Sequence, residues 1–417
     1  MIALEEALAT VLAGCEPLSP QVVGLDRAGG CVLAGDDVVA AVAVPPFANS
    51  AMDGYAVRAA DVAEVPVRLP VVAEVAAGHP VDRELRPGEA MRIFTGAPVP
   101  AGADAIVMVE ETERLDGGST VELRASPAPG QHVRPVGDDV TPGDVVATAG
   151  EELTPGRLGL LRSVGVFEVS VRPRPRVGVI STGDELVQGD EPLQPGQIRD
   201  TNRPVLLGLV ELAGAVPVDL GHAPDDADAI RDALTAAAAS CDAVITTGGV
   251  SMGDTDLVKV VLDELAGPGG MRWMQIAIRP AKPLAFGRVG GAGRADERRV
   301  PVFGLPGNPV SSMVSFELFA RPGLRRLAGH PDDRLSRPRL AAVAAEPLRR
   351  RSDGKVQFVR VEASVHDGTI QVRIAGGQGS HQLSAMARAN GLAVLPDGPG
   401  VDAGERVDVI VIGDLPA

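Results

Sequence analysis

The sequence predicts a multidomain α/β plus β protein, whose centre is an α/β domain with a doubly wound, mostly parallel sheet. Three short apolar runs, at 177–180, 241–247 and 300–305, each end in a loop rich in glycine, hydroxyl groups or acids. Helical patterns lie between them, and this alternation is typical of a parallel sheet with crossover helices. Such sheets bind their ligand at the carboxyl ends of the strands. We therefore expect the region from Arg176 to about Ala328 to carry the functional site.

Capping residues mark the starts of two helices in this region. Asp225 or Asp226 can cap a helix over 229–234, and Asn308 followed by Pro309 is a cap with a first helical residue. Several helix N-termini therefore meet at one sheet edge. Free backbone N–H groups and the helix dipole favour an anion there.

The loop after the second apolar run has the composition of a phosphate cradle. Gly248 and Gly249 would let the backbone approach a phosphate closely, and Thr247 and Ser251 add hydroxyl donors. Nearby, Arg279 and Lys282 are candidate clamps for an anion.

Acidic residues at the same edge indicate a metal. Asp184, Glu185, Asp254 and Asp256 would repel a phosphate unless a cation lay between them. Mg²⁺ prefers oxygen ligands and is the natural mediator. The structural alternative is that the glycine pair is only a tight turn and each acidic loop is only solvated. Several such loops on one edge favour the functional interpretation.

Composition limits the class of partner and the compartment. The formal net charge of −16 argues against nucleic acid or an anionic membrane surface as a broad partner. No apolar run approaches the roughly 18–20 residues of a membrane span. The three cysteines are odd in number and lack metal-type spacing, which fits a reduced, cytoplasmic setting. Aromatic residues make up only 2% of the chain, so valine, alanine and leucine must build the cores.

The flanking regions differ from the central one. Residues 1–44 contain an amphipathic helix and extended runs, and residues 45–140 are rich in strand patterns. A helical pattern returns at 157–165, before a stiff linker at 173–175. Residues 332–417 alternate in short apolar runs, which predicts a small β-barrel or sandwich.

Several of these motifs together resemble those of the molybdopterin molybdenumtransferases, the bacterial MoeA proteins and the E domain of gephyrin. The resemblance covers nearly the whole chain and lies in the motifs at 45–56, 181–186, 247–253, 282–283 and 304–309.

The resemblance implies four domains and a homodimer. An elongated N-terminal module would comprise 1–44 plus 141–172, with the β-rich domain 45–140 inserted into it. The molybdopterin-binding α/β domain would span 173–330, and a C-terminal β-barrel 331–417.

The implied reaction belongs to molybdenum cofactor biosynthesis. Molybdate would enter, Mg²⁺ would assist cleavage of the pyrophosphate in adenylylated molybdopterin, AMP would leave, and molybdenum would end on the dithiolene sulfurs. The product would then pass to molybdoenzymes or their chaperones.

The resemblance also implies roles for named residues. Glu185 and Asp256 would hold Mg²⁺ or handle protons. Another family acid matches Asp225 or Asp226, where the alignment is ambiguous by one residue, and we take Asp225 as the candidate. The inserted domain would send three residues into a partner subunit's cleft: Asp53, Thr95 and Asp139. Substrate binding would involve Ser181, Thr182, Gly183, Asp184, Thr247, Gly248, Gly249, Ser251, Arg279, Lys282, Pro306 and Pro309, of which the two prolines would shape the dithiolene pocket.

One departure and two alternatives stay open at this point. The family often has Lys-Pro-Gly-Lys-Pro where this chain has Arg279-Pro280-Ala281-Lys282-Pro283. One alternative function is a noncatalytic molybdopterin-binding scaffold of the same fold. The other is a different Mg²⁺-dependent nucleotide transferase, which the lack of a Gly-x-x-x-x-Gly-Lys-Ser/Thr loop weakly disfavours.

Overall fold

The computed structural model describes residues 1–249, 257–290 and 298–416. Its helices are α1 (Leu4–Ala13), α2 (Pro155–Ser163), α3 (Asn202–Leu212), α4 (Ala227–Ser240), α5 (Leu257–Ala266), α6 (Pro309–Ser315), α7 (Arg321–Leu327) and α8 (Leu383–Arg388). None of these helices is long and apolar enough to cross a membrane.

Strands make up most of the remaining regular structure. Before the central region they are β1 (Gln21–Gly24), β2 (Val32–Leu33), β3 (Val38–Val39), β4 (Asn49–Ser50), β5 (Gly54–Val57), β6 (Val67–Val75), β7 (Ala90–Ile93), β8 (Ala105–Met108), β9 (Thr112–Leu115), β10 (Thr120–Leu123), β11 (Val133–Arg134), β12 (Val145–Ala147) and β13 (Glu168–Arg172). The central ones are β14 (Arg176–Thr182), β15 (Leu186–Val187), β16 (Ile198–Arg199), β17 (Val216–Ala223), β18 (Ala243–Thr247), β19 (Met271–Gln275), β20 (Ile278–Arg279), β21 (Pro283–Gly290) and β22 (Arg299–Leu305). The last ones are β23 (Arg339–Ala344), β24 (Leu348–Arg349), β25 (Val356–His366), β26 (Thr369–Ile374), β27 (Gly391–Leu395), β28 (Gly400–Val401) and β29 (Arg406–Val411).

The central sheet has the order β17-β14-β18-β22-β21-β19. The first four strands are parallel; β21 runs antiparallel to them, and the edge strand β19 pairs antiparallel with β21 and so runs in the direction of the first four. Strand β14 is buried in every residue after Arg176, as expected of a parallel strand covered on both faces. One face packs against α3 and α6, and the other against α4 and α5. The prediction of a doubly wound, mostly parallel sheet is therefore confirmed.

Helix α4 begins where the sequence predicted a cap. The carboxylate of Asp226 accepts a hydrogen bond from Ala229 N at 2.9 Å, which satisfies one of the free N–H groups of the first turn. A cap of this kind contributes about 1 kcal/mol. Asn308 holds the cap position of α6, but its side chain makes no capping bond within the described ranges. The predicted capping bond of the Asn308 side chain is therefore wrong, whereas Pro309 does begin the helix as predicted.

The two outer β regions differ in closure. Strands β5 to β10 form a six-stranded open sheet of order β8-β5-β7-β6-β10-β9. Near the C-terminus, β25, β26, β23, β29 and β27 pair in a ring, because β27 also pairs with β25. Closure leaves no free edge in that ring. The C-terminal barrel is therefore confirmed over the sandwich.

Residues on both sides of the inserted sheet share one core. Leu25 and Leu33 pack with Val146, Leu161 and Val171. The first helix is different, because α1 buries its apolar stripe in the core of the central sheet. Packing thus places α1 apart from the module to which the sequence assigned it, while the four domain boundaries stay predictions.

A buried histidine lies where the central domain meets the N-terminal module. His330 Nδ1 is 3.2 Å from the Arg325 guanidinium, and its Nε2 is 4.0 Å from the Glu152 carboxylate. Burial, with the charges of Arg325, Arg321 and Arg334, lowers the pKa of His330 to about 4. The imidazole is therefore neutral in the folded protein at neutral pH.

We expect this histidine to make folding pH-dependent. Between its unfolded pKa of about 6.5 and its folded pKa of about 4, the unfolded chain binds the extra proton, so stability falls as the pH drops. The full effect is about 3 kcal/mol. His330→Gln should reduce the pH dependence of the free energy of unfolding in urea between pH 6.5 and 4. His79→Gln, at an exposed site, should leave that pH dependence unchanged. Equal slopes in wild type and His330→Gln would contradict the assignment.

Candidate functional site

The three predicted strand ends meet at one edge of the sheet. Ser181 of β14 is in register with Thr247 of β18, which is in register with Leu305 of β22. A cavity of about 750 Å³ opens at these ends. It is lined by Thr182, Glu185, Leu186, Ile198, Arg199, Asp200, Thr201, Asn202, Thr247, Gly248, Gly249, Pro283, Pro306, Gly307, Asn308, Pro309, His381 and Leu383. Seven of the predicted site residues are in this wall: Thr182, Glu185, Thr247, Gly248, Gly249, Pro306 and Pro309.

Glycine is needed where two loops approach each other. Gly248 has a φ of +95°, and its N–H donates to Leu305 O at 3.2 Å. A Cβ added there would lie 3.1 Å from Thr182 O and 3.3 Å from Thr182 Oγ1. Gly249 also has a positive φ, of +68°. Consecutive residues of this kind can turn their N–H groups toward one point, as in anion-binding nests.

Asn202 ties the strand ends together below the cavity. Its Nδ2 donates to Thr247 Oγ1 at 2.8 Å and to Gly307 O at 2.7 Å. The side chain also lines the cavity. Asn202 is in the first turn of α3. The start of this helix therefore shapes the cavity wall together with the loops after β18 and β22.

Glu185 is an exposed carboxylate at the cavity wall. Its backbone is held on both sides, since Leu186 N donates to Gly183 O at 3.0 Å and Ile198 N donates to Glu185 O at 2.8 Å. Gly183 is buried and has a φ of +132°. A Cβ at this glycine would lie 2.5 Å from Glu185 Oε2, so the glycine leaves room for the carboxylate.

An ion-pair network centred on the buried side chain of Asp200 borders the cavity. Asp200 accepts hydrogen bonds from Ser181 Oγ at 2.7 Å and from Arg203 Nε at 3.0 Å. The Arg203 guanidinium also donates to Asp219 Oδ2 at 2.6 Å. Burial alone would raise the pKa of Asp219, but the hydrogen bonds from Arg203 and from Gly221 N, together with the Arg203 charge, lower that pKa. Ser181 is thus buried and braces Asp200, and it does not line the cavity.

Two further predicted acids cap each other's backbone. Asp184 Oδ1 accepts from Asp225 N at 3.0 Å, and Asp225 Oδ2 accepts from Asp184 N at 3.3 Å. Both residues are exposed and lie outside the cavity lining. Since Asp226 is the cap of α4, Asp225 is the acid that faces the loop of Asp184.

The predicted anion clamps lie away from the cavity wall. Arg279 and Lys282 are exposed, and the Arg279 guanidinium is 3.9 Å from Asp353, which lies just before β25 of the C-terminal barrel. Ala281, between them, is buried with a φ of +74°, a conformation that favours glycine. Ala281, which stands where the family often has glycine, thus occupies a strained backbone conformation. The role of both cations stays a prediction.

The inserted domain holds its predicted residues in a separate group. Thr95 donates to Asp53 Oδ1 from its backbone N at 2.7 Å and from its hydroxyl at 2.8 Å. The hydrogen bond from Thr95 N, with that from the hydroxyl, lowers the pKa of Asp53. Asp139 is exposed, and its N–H donates to Val44 O at 2.9 Å. In this single chain none of the three lines the cavity.

Three predicted residues, Ser251, Asp254 and Asp256, lie outside the described residues. Within the described ranges, no group of three His, Cys, Asp or Glu side chains is placed to hold a metal ion. The oxygen atoms of Glu185, Thr182 and Thr247 nevertheless line one cavity, and oxygen donors are the kind that Mg²⁺ prefers.

Eleven of the eighteen residues that line the cavity were not among the predicted site residues, and they include the polar Arg199, Asp200, Asn202 and His381. Arg199, Asp200 and Asn202 belong to a polar run at the start of α3, and that position was a signal that could have found them. His381 comes from the loop 378–381 of the C-terminal region, and only the fold shows that this loop lines the cavity. A second cavity of about 530 Å³, lined by Arg288 and Arg299 among others, contains none of the predicted residues.

The fold and this cavity define a multidomain α/β plus β protein with a cavity at the strand ends of its mostly parallel central sheet. Three family models match successive parts of the chain: the MoeA N-terminal region (domain I and II) at 2–165, the probable molybdopterin binding domain at 178–326, and the MoeA C-terminal region (domain IV) at 341–412.

Similar proteins support the same assignment. Molybdopterin molybdenumtransferase 2 of Mycobacterium tuberculosis is 42% identical over 94% of each chain. Molybdopterin molybdenumtransferase of Haemophilus influenzae is 38% identical over 98% of each. The crystal structure of the molybdopterin biosynthesis MoeA protein of Pyrococcus horikoshii superposes with a TM-score of 0.75 at 29% identity, covering 99% of this chain and 100% of that one. The chain therefore belongs to the molybdopterin molybdenumtransferase (MoeA) family.

Proposed function

We propose that the protein inserts molybdenum from molybdate into adenylylated molybdopterin in an Mg²⁺-dependent reaction that releases AMP. Family membership makes it a transferase of molybdenum cofactor biosynthesis. The observation that carries the finer proposal is the cavity at the strand ends. There Gly248 and Gly249 share one wall with Glu185, an arrangement that suits a diphosphate together with a cation.

The cavity residues would divide the work between binding and positioning. The N–H groups of Gly248 and Gly249 and the hydroxyl of Thr182 would donate to phosphate oxygens. Pro306 and Pro309 would bound the apolar side of the pocket, where the dithiolene of the pterin lies. Asn202 would keep both loops at a constant distance through its two hydrogen bonds.

Glu185 would hold Mg²⁺, with Asp256 as the predicted second carboxylate. When bound, the ion neutralises charge on the diphosphate oxygens and makes the leaving phosphate easier to release. Glu185 would also orient a water molecule toward the phosphorus, since its carboxylate is exposed at the cavity wall.

The group in the inserted domain would act in a homodimer. Asp53 and Thr95 are exposed and bonded to each other, yet they do not line the cavity of their own chain. We propose that they and Asp139 complete the cavity of a second copy. The loaded cofactor would then pass to a molybdoenzyme or its chaperone.

The test is an assay of purified full-length protein with adenylylated molybdopterin, Mg²⁺ and molybdate. We expect AMP release that depends on molybdate and stops when EDTA removes Mg²⁺. Ligand binding with no AMP would instead support a scaffold. AMP release that ignores molybdate, or consumption of a nucleoside triphosphate, would support a different nucleotide transferase.

A further inference from the structure

Arg199 is the one arginine or lysine among the described residues that line the cavity. The same wall carries the carboxylates of Glu185 and Asp200. Since the carboxylate of Asp200 is already paired with Arg203, a ligand with several phosphate charges meets one further acid, Glu185, and a single arginine there. The predicted clamps Arg279 and Lys282 do not change this balance, because neither lines the wall.

The guanidinium of Arg199 is held in place by backbone carbonyls. One terminal nitrogen donates to Gly189 O at 2.5 Å, and the other donates to Glu191 O at 2.6 Å. A guanidinium carries five N–H groups in a fixed fork, so these bonds leave the rest for a ligand. A head that is already oriented loses little entropy when it binds an oxyanion.

The carbonyls that hold Arg199 belong to the loop 188–197, which begins close to Glu185. Strands β15 and β16 pair in parallel and close this loop at its base. A second arginine braces it, since Arg203 donates to Gln188 Oε1 at 3.0 Å. Because Ile198 N donates to Glu185 O at 2.8 Å, the position of Arg199 is also coupled to that of Glu185.

We propose that Arg199 is an oxyanion-binding residue of this cavity, which contacts the phosphate or diphosphate part of the ligand with its remaining N–H groups. Its bonds to Gly189 and Glu191 orient the guanidinium before the ligand arrives. The proposal rests on the proposed function only in that the ligand is phosphorylated.

The test measures binding of inorganic pyrophosphate, with Mg²⁺ present, to the full-length protein by calorimetry. Arg199→Met keeps most of the stem but removes the charge and should weaken binding about 10- to 100-fold, the range of a charge-assisted hydrogen bond. Arg199→Lys should recover part of this loss, because it restores the charge without the fork. The matched control Arg373→Met, at an exposed position of β26, should bind as the wild type does.

Hydrogen exchange of the amides in 188–197 separates ligand binding from a purely structural role. Faster exchange in Arg199→Met with unchanged pyrophosphate affinity would overturn the proposal and leave Arg199 as a loop brace. Wild-type protein that binds no pyrophosphate would overturn it as well. Neither AMP nor molybdate enters this measurement, so Arg199-dependent binding without AMP release would reject the proposed function alone.

Discussion

Glu185→Gln should lower molybdate-dependent AMP release at least about 100-fold while leaving pyrophosphate binding within a few-fold of wild type. The substitution keeps the size of the side chain and removes its charge. Gly183 leaves space beside the carboxylate, and the backbone of Glu185 is bonded to Ile198, so the loop should keep its position. What is lost is the anionic oxygen that would hold Mg²⁺ and orient water.

A single-turnover assay with adenylylated molybdopterin measures this effect directly, with binding measured separately. Glu211→Gln is the matched control, because this exposed residue lies on α3 outside the cavity wall and should leave the rate unchanged. Full turnover by Glu185→Gln would refute the role of Glu185 as metal or proton carrier.

Asp200→Ala should destabilise the central domain by about 3–5 kcal/mol, the cost of removing one partner from a buried ion pair. The Asp200 side chain is only 1% exposed, and that of Arg203 is 13% exposed. Without Asp200, the hydroxyl of Ser181 loses its hydrogen-bond acceptor. The Arg203 guanidinium keeps its hydrogen bonds to Asp219 but loses those to the buried Asp200 carboxylate. Asp200→Asn should cost less, because the amide oxygen can still accept from Ser181.

Urea unfolding followed by fluorescence checks this prediction, since Trp273 is the single tryptophan of the chain and lies in β19 of the central sheet. The control is Asp228→Ala, which removes an ion pair whose carboxylate is 88% exposed and should change stability by less than about 1 kcal/mol. If Asp200→Ala costs no more than this control, the network does not stabilise the domain.

Much of the fold was predictable from local patterns. The apolar runs that became β14, β18 and β22 are buried nearly throughout, and their parallel order follows from the helices between them. The C-terminal alternation predicted strands, but it could not distinguish a barrel from a sandwich. That distinction depends on the pairing of β27 with β25, which brings together residues distant in the chain.

The candidate site divides in the same way. Gly248 and Glu185 were found because turn chemistry and charge are visible within a few residues of a strand end. Arg279 and Lys282 carry equally visible charges, yet the structure directs Arg279 toward Asp353 and leaves both outside the cavity wall. The sequence shows that a residue is charged, but the tertiary fold decides whether that residue lines the cavity.

The sequence by itself determined the class of the protein, its strand-and-loop units and the loops that could meet an anion. The tertiary structure decided that Asn202 bonds both to Thr247 and to Gly307, which is 105 positions from Asn202 in the chain. It also decided that His381 lines the same cavity wall and that α1 packs on the central sheet. The physical reason is the separation along the chain of the residues that interact. Backbone conformation and helix capping depend on residues that are neighbours in the chain. Which side chains share a buried surface depends instead on how distant segments pack.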